Sequence, residues 1–137
     1  MSADLDPRLV EPPYPLQAHL GMEMTGWSEG FARVEMPLAP FLSNRQGLPH
    51  GGIHATMMDT AMGYAGCYTG DPARRQMALT LSLTINYLGQ PRGTRLIAEG
   101  RRSGGGRKTY FAEARMVDDL GTLLATATGV FRYRAAS

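Results

Sequence analysis

The chain has 137 residues, one cysteine and a formal net charge of +2, the size of one domain with room for a real core. That charge is too small to point to nucleic acid, and no interleaved aromatic and basic repeat accompanies it. No run reaches the roughly 20 apolar residues of a membrane span, and Cys67 has neither a disulfide partner nor a Cys/His set with zinc spacing. With an acidic, proline-rich start in place of a secretory signal, the expected location is a reducing one, the cytoplasm.

Residues 1–20 read as an arm, and residues 21–137 as a single domain without internal repeats. Pro7, Pro12, Pro13 and Pro15 block regular structure over residues 1–15, and residues 16–22 have room for one or two helical turns. Over residues 31–36, Ala32, Val34 and Met36 alternate with Arg33 and Glu35, the pattern of a half-buried strand. Residues 37–49 form a loop bounded by prolines. One strong helix follows: Ile53, Met57, Ala61, Ala65 and Tyr68 recur at helical spacing, and Gly70, Asp71 and Pro72 stop it. Gly63 inside that helix costs roughly 0.5–1 kcal/mol against alanine, which suggests a neighbour packed very close. Then Leu79, Leu81, Leu83, Ile85 and Tyr87 alternate with Thr80, Ser82, Thr84 and Asn86 in a long strand. Three more strands are marked by Leu96–Ala98–Gly100, by Tyr110 to Met116 and by Leu123 to Tyr133. Turns are expected at residues 90–93, 103–106 and 118–121. Short turns imply antiparallel neighbours, so the fold class is α+β, one helix on an antiparallel sheet.

The segment from Asn44 through His50, Gly51, Gly52 and His54 to Asp59 carries the candidate chemistry. Paired glycines where a loop becomes a helix give a ligand access to unpaired N–H groups at the positive end of the helix dipole, a place for a developing oxyanion. The plainer reading is that they only permit a tight turn into the helix. Asp59, set among methionines and small residues, is either a solvated helix residue or a base or nucleophile. It lies eight positions after Gly51, roughly 12 Å along the axis. If both act on one carbon, they come from two chains across a two-fold axis. His54 is expected to be partly buried and hydrogen-bonded, His19 to lie on the surface, Cys67 to be a packed thiol, and Trp27 to sit in core or interface. Arg101, Arg102, Arg107 and Lys108 bracket a glycine run, which suits either a solvated hairpin or phosphate oxygens.

The string Asn44-x5-His50-Gly51-Gly52-x6-Asp59 resembles the PaaI-type branch of the hotdog-fold acyl-CoA thioesterases. Gly30 with Ala32, Arg33, Val34 and Pro37 looks like that family's first strand. Asn86-Tyr87-Leu88 before Pro91, Gly106-Arg107-Lys108-Thr109, and Gly121-x3-Ala125-x3-Gly129-x-Phe131 also fit, so the likeness covers nearly everything after residue 20. It implies an antiparallel sheet wrapped around a central helix, and hydrolysis of an acyl-CoA to a carboxylic acid and free CoA without a metal or cofactor. It further implies that Asp59 is nucleophile or base, that the Gly51 N–H polarises the carbonyl, and that Asn44 supports the oxyanion or positions water. His50 would orient that group or the leaving sulfur, and Thr80, matched by offset, would hold the attacking water. Gly106, Arg107, Lys108 and Arg101 would meet CoA, while Met57, Met58 and Met62 would either pack or line an acyl pocket. The subunits would form a homodimer and further a homotetramer. The alternatives are a hotdog enoyl-CoA hydratase or dehydratase and a non-catalytic acyl-CoA-binding module.

Overall fold

A computed structural model describes residues 5–135; residues 1–4 of the expected arm and residues 136–137 of the expected domain lie outside it. The chain runs through a 3-10 turn at Pro7–Leu9, helix α1 (Pro15–Leu20), strands β1 (Glu23–Ser28) and β2 (Phe31–Pro37), and helix α2 (Gly51–Ala65). Strands β3 (Ala78–Tyr87), β4 (Arg95–Gly105), β5 (Thr109–Asp118) and β6 (Leu123–Tyr133) complete it. The strands form one antiparallel sheet in the order β1-β2-β4-β5-β6-β3. This sheet curls around α2, which packs on every strand, as the sequence leads one to expect.

Strand alternation supplies one wall of the core and α2 the other. Val34, Met36, Leu96, Ala98, Ala112, Met116 and Phe131 face inward and meet Met57, Met58, Ala61 and Met62, all four with no exposed surface. The three methionines therefore pack the core. A second cluster holds Leu9 of the arm against Trp27, Ala32 and Ala65.

The expected first strand is in fact the second. β1 precedes it and escapes the sequence pattern because a bulge between Met24 and Gly26 breaks its alternation. The helix ends at Ala65, not near Gly70. There the sheet takes over its last carbonyls: Tyr110 Oη donates to Met62 O (3.1 Å) and Gly63 O (2.9 Å), Tyr133 Oη to Gly66 O (2.6 Å), and Trp27 Nε1 to Tyr64 O (2.8 Å). A side chain at Gly66 would run into the Tyr110 ring.

The expected close approach at Gly63 lies elsewhere. A Cβ on Gly63 would come no nearer than 3.9 Å to Phe131, whereas one on Gly100 would stand 2.5 Å from the Ala61 carbonyl carbon. Gly100 is thus where α2 lies flat on β4. Strand β4 also runs through the expected turn at 103–106 and reverses after Gly105, with a bulge between Arg102 and Gly104.

Strands β3 and β4 are joined by a short segment yet are not neighbours. Residues 88–94 cross the ends of β6 and β5 instead, and hydrogen bonds tie the crossing down. Leu88 N and Gly89 N donate to Leu124 O at 2.8 and 3.1 Å. Arg92 N and Gly93 N donate to Asp118 Oδ2 at 2.7 and 2.9 Å, while Leu120 N and Thr122 N donate to its Oδ1. Four N–H donors hold the buried Asp118 carboxyl below the ordinary carboxylate range although burial pushes it the other way. The crossing leaves β3 at a sheet edge, where a further bulge, between Thr80 and Ser82, shapes the site.

Candidate active site

The loop before α2 is built around Asn44. Its Oδ1 accepts from Gln46 N (2.8 Å) and Leu48 N (3.2 Å), its own N–H donates to Leu48 O (2.6 Å), and Gly47 turns the chain at φ +80°. With Oδ1 taken up, the side chain has only its NH2 group left to offer a ligand. His50 caps the helix. Its Nδ1 accepts from Gly52 N at 2.9 Å, so the neutral ring carries its proton on Nε2. Ile53 N donates to His50 O at 2.9 Å. The Gly51 N–H, in contrast, meets no acceptor among the described residues.

Both glycines have an ordinary φ and a close side-chain neighbour. A Cβ on Gly52 would meet His50 Nδ1 at 3.0 Å, and one on Gly51 would meet Tyr87 Oη at 3.2 Å. A side chain at either position would push His50 or Tyr87 aside by a few tenths of an ångström, no unusual φ requires glycine there, and the free N–H of Gly51 is a separate feature. Tyr87, not singled out from the sequence as a site residue, donates from Oη to Gly51 O at 2.6 Å and meets the His54 ring edge-on at 5.3 Å. Its sequence signals were its place at the end of the long alternation and in the Asn86-Tyr87-Leu88 match, and neither marked it as a site residue.

Asp59 lies two turns further along α2, roughly 12 Å from Gly51 along the axis. The two are not brought together within this chain. Asp59 is half-buried and accepts from Thr80 Oγ1 at 2.7 Å. Burial raises its carboxyl above the ordinary range, and the Thr80 hydrogen bond opposes that. The β3 bulge creates this contact. Thr80 pairs with inward-facing Phe131, whereas Ser82 pairs with Val130, so Leu81 is the extra residue and the inward set changes from even to odd numbers. Uninterrupted alternation would place Thr80 on the face opposite Leu83 and Ile85; the bulge turns it onto Asp59. The carboxylate opens on a cavity of about 400 Å³ lined mainly by apolar groups, among them Tyr14, Trp27, Gly63 and Phe131. A half-buried carboxylate, one hydroxyl beside it and an adjoining apolar cavity suit a base or nucleophile acting on a substrate with an apolar group.

The thioesterase superfamily family model matches residues 46–125. The chain belongs to the thioesterase superfamily. A proposed esterase of Pseudomonas aeruginosa is 34% identical over 89 residues, and the match spans 64% of this chain and 64% of that protein's length. A Bacillus halodurans protein solved with CoA is 29% identical, with a TM-score of 0.72 over 87% of this chain and 75% of that one. The E. coli PaaI protein from the phenylacetic acid degradation operon shares the fold at 21% identity, with a TM-score of 0.77 over 89% of this chain and 86% of that one. The fold is the hotdog fold of this superfamily.

The basic group is divided by its strand. Gly106, Arg107 and Lys108 lie exposed at the β4–β5 turn. Arg102 reaches Gly106 O at 3.4 Å and pairs with inward-facing Ala112. Arg101 pairs with Glu113 on the outer face, its guanidinium 4.6 Å from the Phe31 ring centroid. So Arg101 and Arg102 do not share a face. The remaining candidates are quiet. His54 is buried, its ring nitrogen 3.4 Å from His50 O, and burial lowers its pKa. Burial pushes the Cys67 thiol up to about 11, far from thiolate chemistry. His19 is exposed and Trp27 is core. No helix is long and apolar enough to cross a membrane, and no three His, Cys, Asp or Glu residues cluster for a metal, among the described residues.

Proposed function

We propose that this thioesterase-superfamily protein hydrolyses the thioester of an acyl-CoA, giving the free carboxylic acid and CoA, without a cofactor. The observation that carries the proposal is Asp59: a half-buried carboxylate raised by burial, held at 2.7 Å by Thr80 and open to an apolar cavity. Family membership and the CoA-bound Bacillus halodurans relative support CoA as the leaving group.

In the reaction, Asp59 takes the proton of a water positioned by Thr80, or attacks the carbonyl carbon itself. The carbonyl oxygen becomes an oxyanion, which the Gly51 N–H and the Asn44 NH2 group stabilise at the positive end of α2. His50, donating from Nε2, orients that group or the leaving sulfur. Collapse of the tetrahedral adduct breaks the C–S bond; on the base route the sulfur leaves with the proton that Asp59 took from water, and on the nucleophile route it leaves as the thiolate and takes a proton from solvent. On the nucleophile route, water then hydrolyses the acyl-aspartyl anhydride. Because Gly51 and Asp59 are roughly 12 Å apart along one helix, each site takes Gly51, Asn44 and His50 from one subunit and Asp59 with Thr80 from another. The protein therefore works as a homodimer, assembled further into a homotetramer, in the cytoplasm. Arg107, Lys108 and Gly106 meet the nucleotide end of CoA, whereas Arg101, on the outer face of an interior strand, is set apart from them.

The test is release of free thiol from a panel of aryl, short, medium and long acyl-CoAs by the wild type and by Asp59→Asn. Wild-type turnover that collapses in the variant supports the reading. Hydration of an enoyl-CoA without thiol release replaces it with the hydratase reading, and binding without either reaction leaves a binding module.

A further inference from the structure

The cavity beside Asp59 is bounded on three sides. On α2 its lining runs from Asp59 to Gly63, residues four apart on one helix face, and continues past the helix end to Cys67. The opening residues of β3, Ala78 and Thr80, form the second side. The third is the N-terminal arm, through Glu11, Pro12 and Tyr14. The arm is fastened at three points. Leu9 is buried in the second core cluster, and Tyr14 Oη lies 3.4 Å from Thr60 Oγ1. Glu11 accepts from Tyr64 Oη at 3.4 Å and pairs with Arg75, Nη2 to Oε1, at 3.1 Å.

Gly63 is the unusual element in this lining. Its φ is ordinary, and an added Cβ meets nothing closer than 3.9 Å. Neither backbone geometry nor close packing calls for glycine here, and the helix gives up stability by having it. What its missing side chain leaves is space next to Asp59. The surrounding surface is mainly apolar, and the cation on it, Arg75, is paired with Glu11, so the space suits a hydrocarbon or ring better than a phosphate.

We propose that this cavity receives the acyl group of the substrate, and that Gly63 together with the arm segment carrying Pro12 and Tyr14 sets how large an acyl group it accepts. This rests on the acyl-CoA reading for the identity of the ligand. Gly63 and Tyr14 determine specificity and take no part in bond making. A larger residue at 63 fills the cavity from the helix side, and removing the Tyr14 ring widens it from the arm side.

The experiment uses non-hydrolysable oxoalkyl-CoA analogues of increasing chain length, with a methylene between sulfur and carbonyl. Trp27 is the only tryptophan in the chain and lines the cavity, so its fluorescence reports binding. In the wild type, affinity should rise roughly fourfold per added methylene until the cavity is full. Gly63→Leu should end that rise at a shorter chain while keeping the shortest analogue, and Tyr14→Ala should extend it to a longer chain. Gly63→Ala, which fits without displacement, provides the same comparison should Gly63→Leu not fold. Affinity independent of chain length, or the same chain-length profile in wild type and all three variants, overturns the proposal. Graded binding without thiol release from the natural thioesters would sink the hydrolysis reading and leave the cavity assigned. Thiol release with ungraded binding would do the reverse.

Discussion

Two glycines at the contact of α2 with the sheet should respond to the same substitution with opposite signs. In Gly100→Ala the new methyl would stand 2.5 Å from the Ala61 carbonyl carbon, 2.6 Å from its oxygen and 2.7 Å from Met62 N. Carbon contacts settle near 3.5–4.0 Å, so α2 and β4 must part by about 1 Å. Overpacking of that kind costs about 1–3 kcal/mol. With an unfolding entropy of about 2.1 cal/mol/K per residue, 137 residues give roughly 3.5 °C per kcal/mol, hence a Tm lower by about 3–10 °C. Asp59 sits two residues before the displaced Ala61, and a shift of about 1 Å at a reacting group costs up to ~10²-fold in rate, so kcat should fall as well. Gly63→Ala meets only Phe131, at 3.9 Å. It gains roughly 0.5–1 kcal/mol of helix stability, which raises Tm by about 2–4 °C. Thermal unfolding of both variants beside the wild type, at one pH and one protein concentration, reads the contrast. A Gly100→Ala protein with wild-type Tm, or shifts of equal sign, would refute the placement of α2 on β4.

Asp59→Asn should lower kcat by at least ~10²-fold. Burial raises the folded pKa of Asp59 above its unfolded value, so its charge destabilises the fold above that folded pKa, and the penalty fades as pH falls through it. The Asn variant should therefore be at least as stable as wild type at pH 7, with the advantage shrinking in acid; urea titrations across pH would show a destabilised variant if this is wrong. Thr80→Val removes the interaction that lowers the Asp59 pKa, so the acid limb of kcat/KM should move to higher pH, and Thr80→Ser should restore it; an unmoved limb excludes the pair from the titration. Arg107→Ala should raise KM for acyl-CoA but hardly for an acyl-pantetheine, because only binding to the nucleotide is lost; equal effects would return Arg107 to the solvated surface. Inactive Asp59→Asn and inactive Asn44→Ala, mixed with verified subunit exchange, should regain roughly a quarter of wild-type sites, and no recovery means that each site is built within one chain.

The sequence was most legible where one face of an element is buried and period and burial coincide. β2 is such a case, with Ala32, Val34 and Met36 inward, and so is the buried face of α2. It failed where tertiary contacts override local pattern. β1 holds Gly26 and a bulge, so no alternation marks it. The end of α2 is decided by Tyr110, more than forty residues away in the chain, whose ring excludes any side chain at Gly66. A short connection normally means a hairpin, but the 88–94 segment crosses two strand ends because Asp118 and Asp119 supply carboxylates to its N–H groups. Within the candidate site, Asn44, His50, Gly51 and Asp59 were visible as a spaced motif. The inward turn of Thr80 was not, since a bulge has no reliable sequence mark. Tyr87 was hidden for the same reason: its contact with Gly51 depends on where β3 lies.

Several choices that are unfavourable for the fold alone gather along the seam between α2 and β3. Asp59 is a carboxylate held partly away from water, and Gly63 weakens the helix without being required by packing. Strand β3 lies at the sheet edge with Leu79, Leu81 and Tyr87 each more than half exposed, at 54%, 58% and 54%, the kind of edge that monomers usually blunt with charge or proline. Its bulge gives up regular pairing to bring Thr80 to Asp59. Elsewhere, at the 88–94 crossing and the end of α2, the local choices support the fold: the carboxylates have donors and the carbonyls have hydroxyls. Sequences break local rules mainly where function demands it. An open cavity, an unneeded glycine and a bare edge gather in one seam around Asp59, and they add structural support to the proposal that the chemistry lies there. On the shared-site proposal, β3 is the edge along which a second copy would bring its own Gly51 N–H, which within one chain lies two turns of α2 away from Asp59.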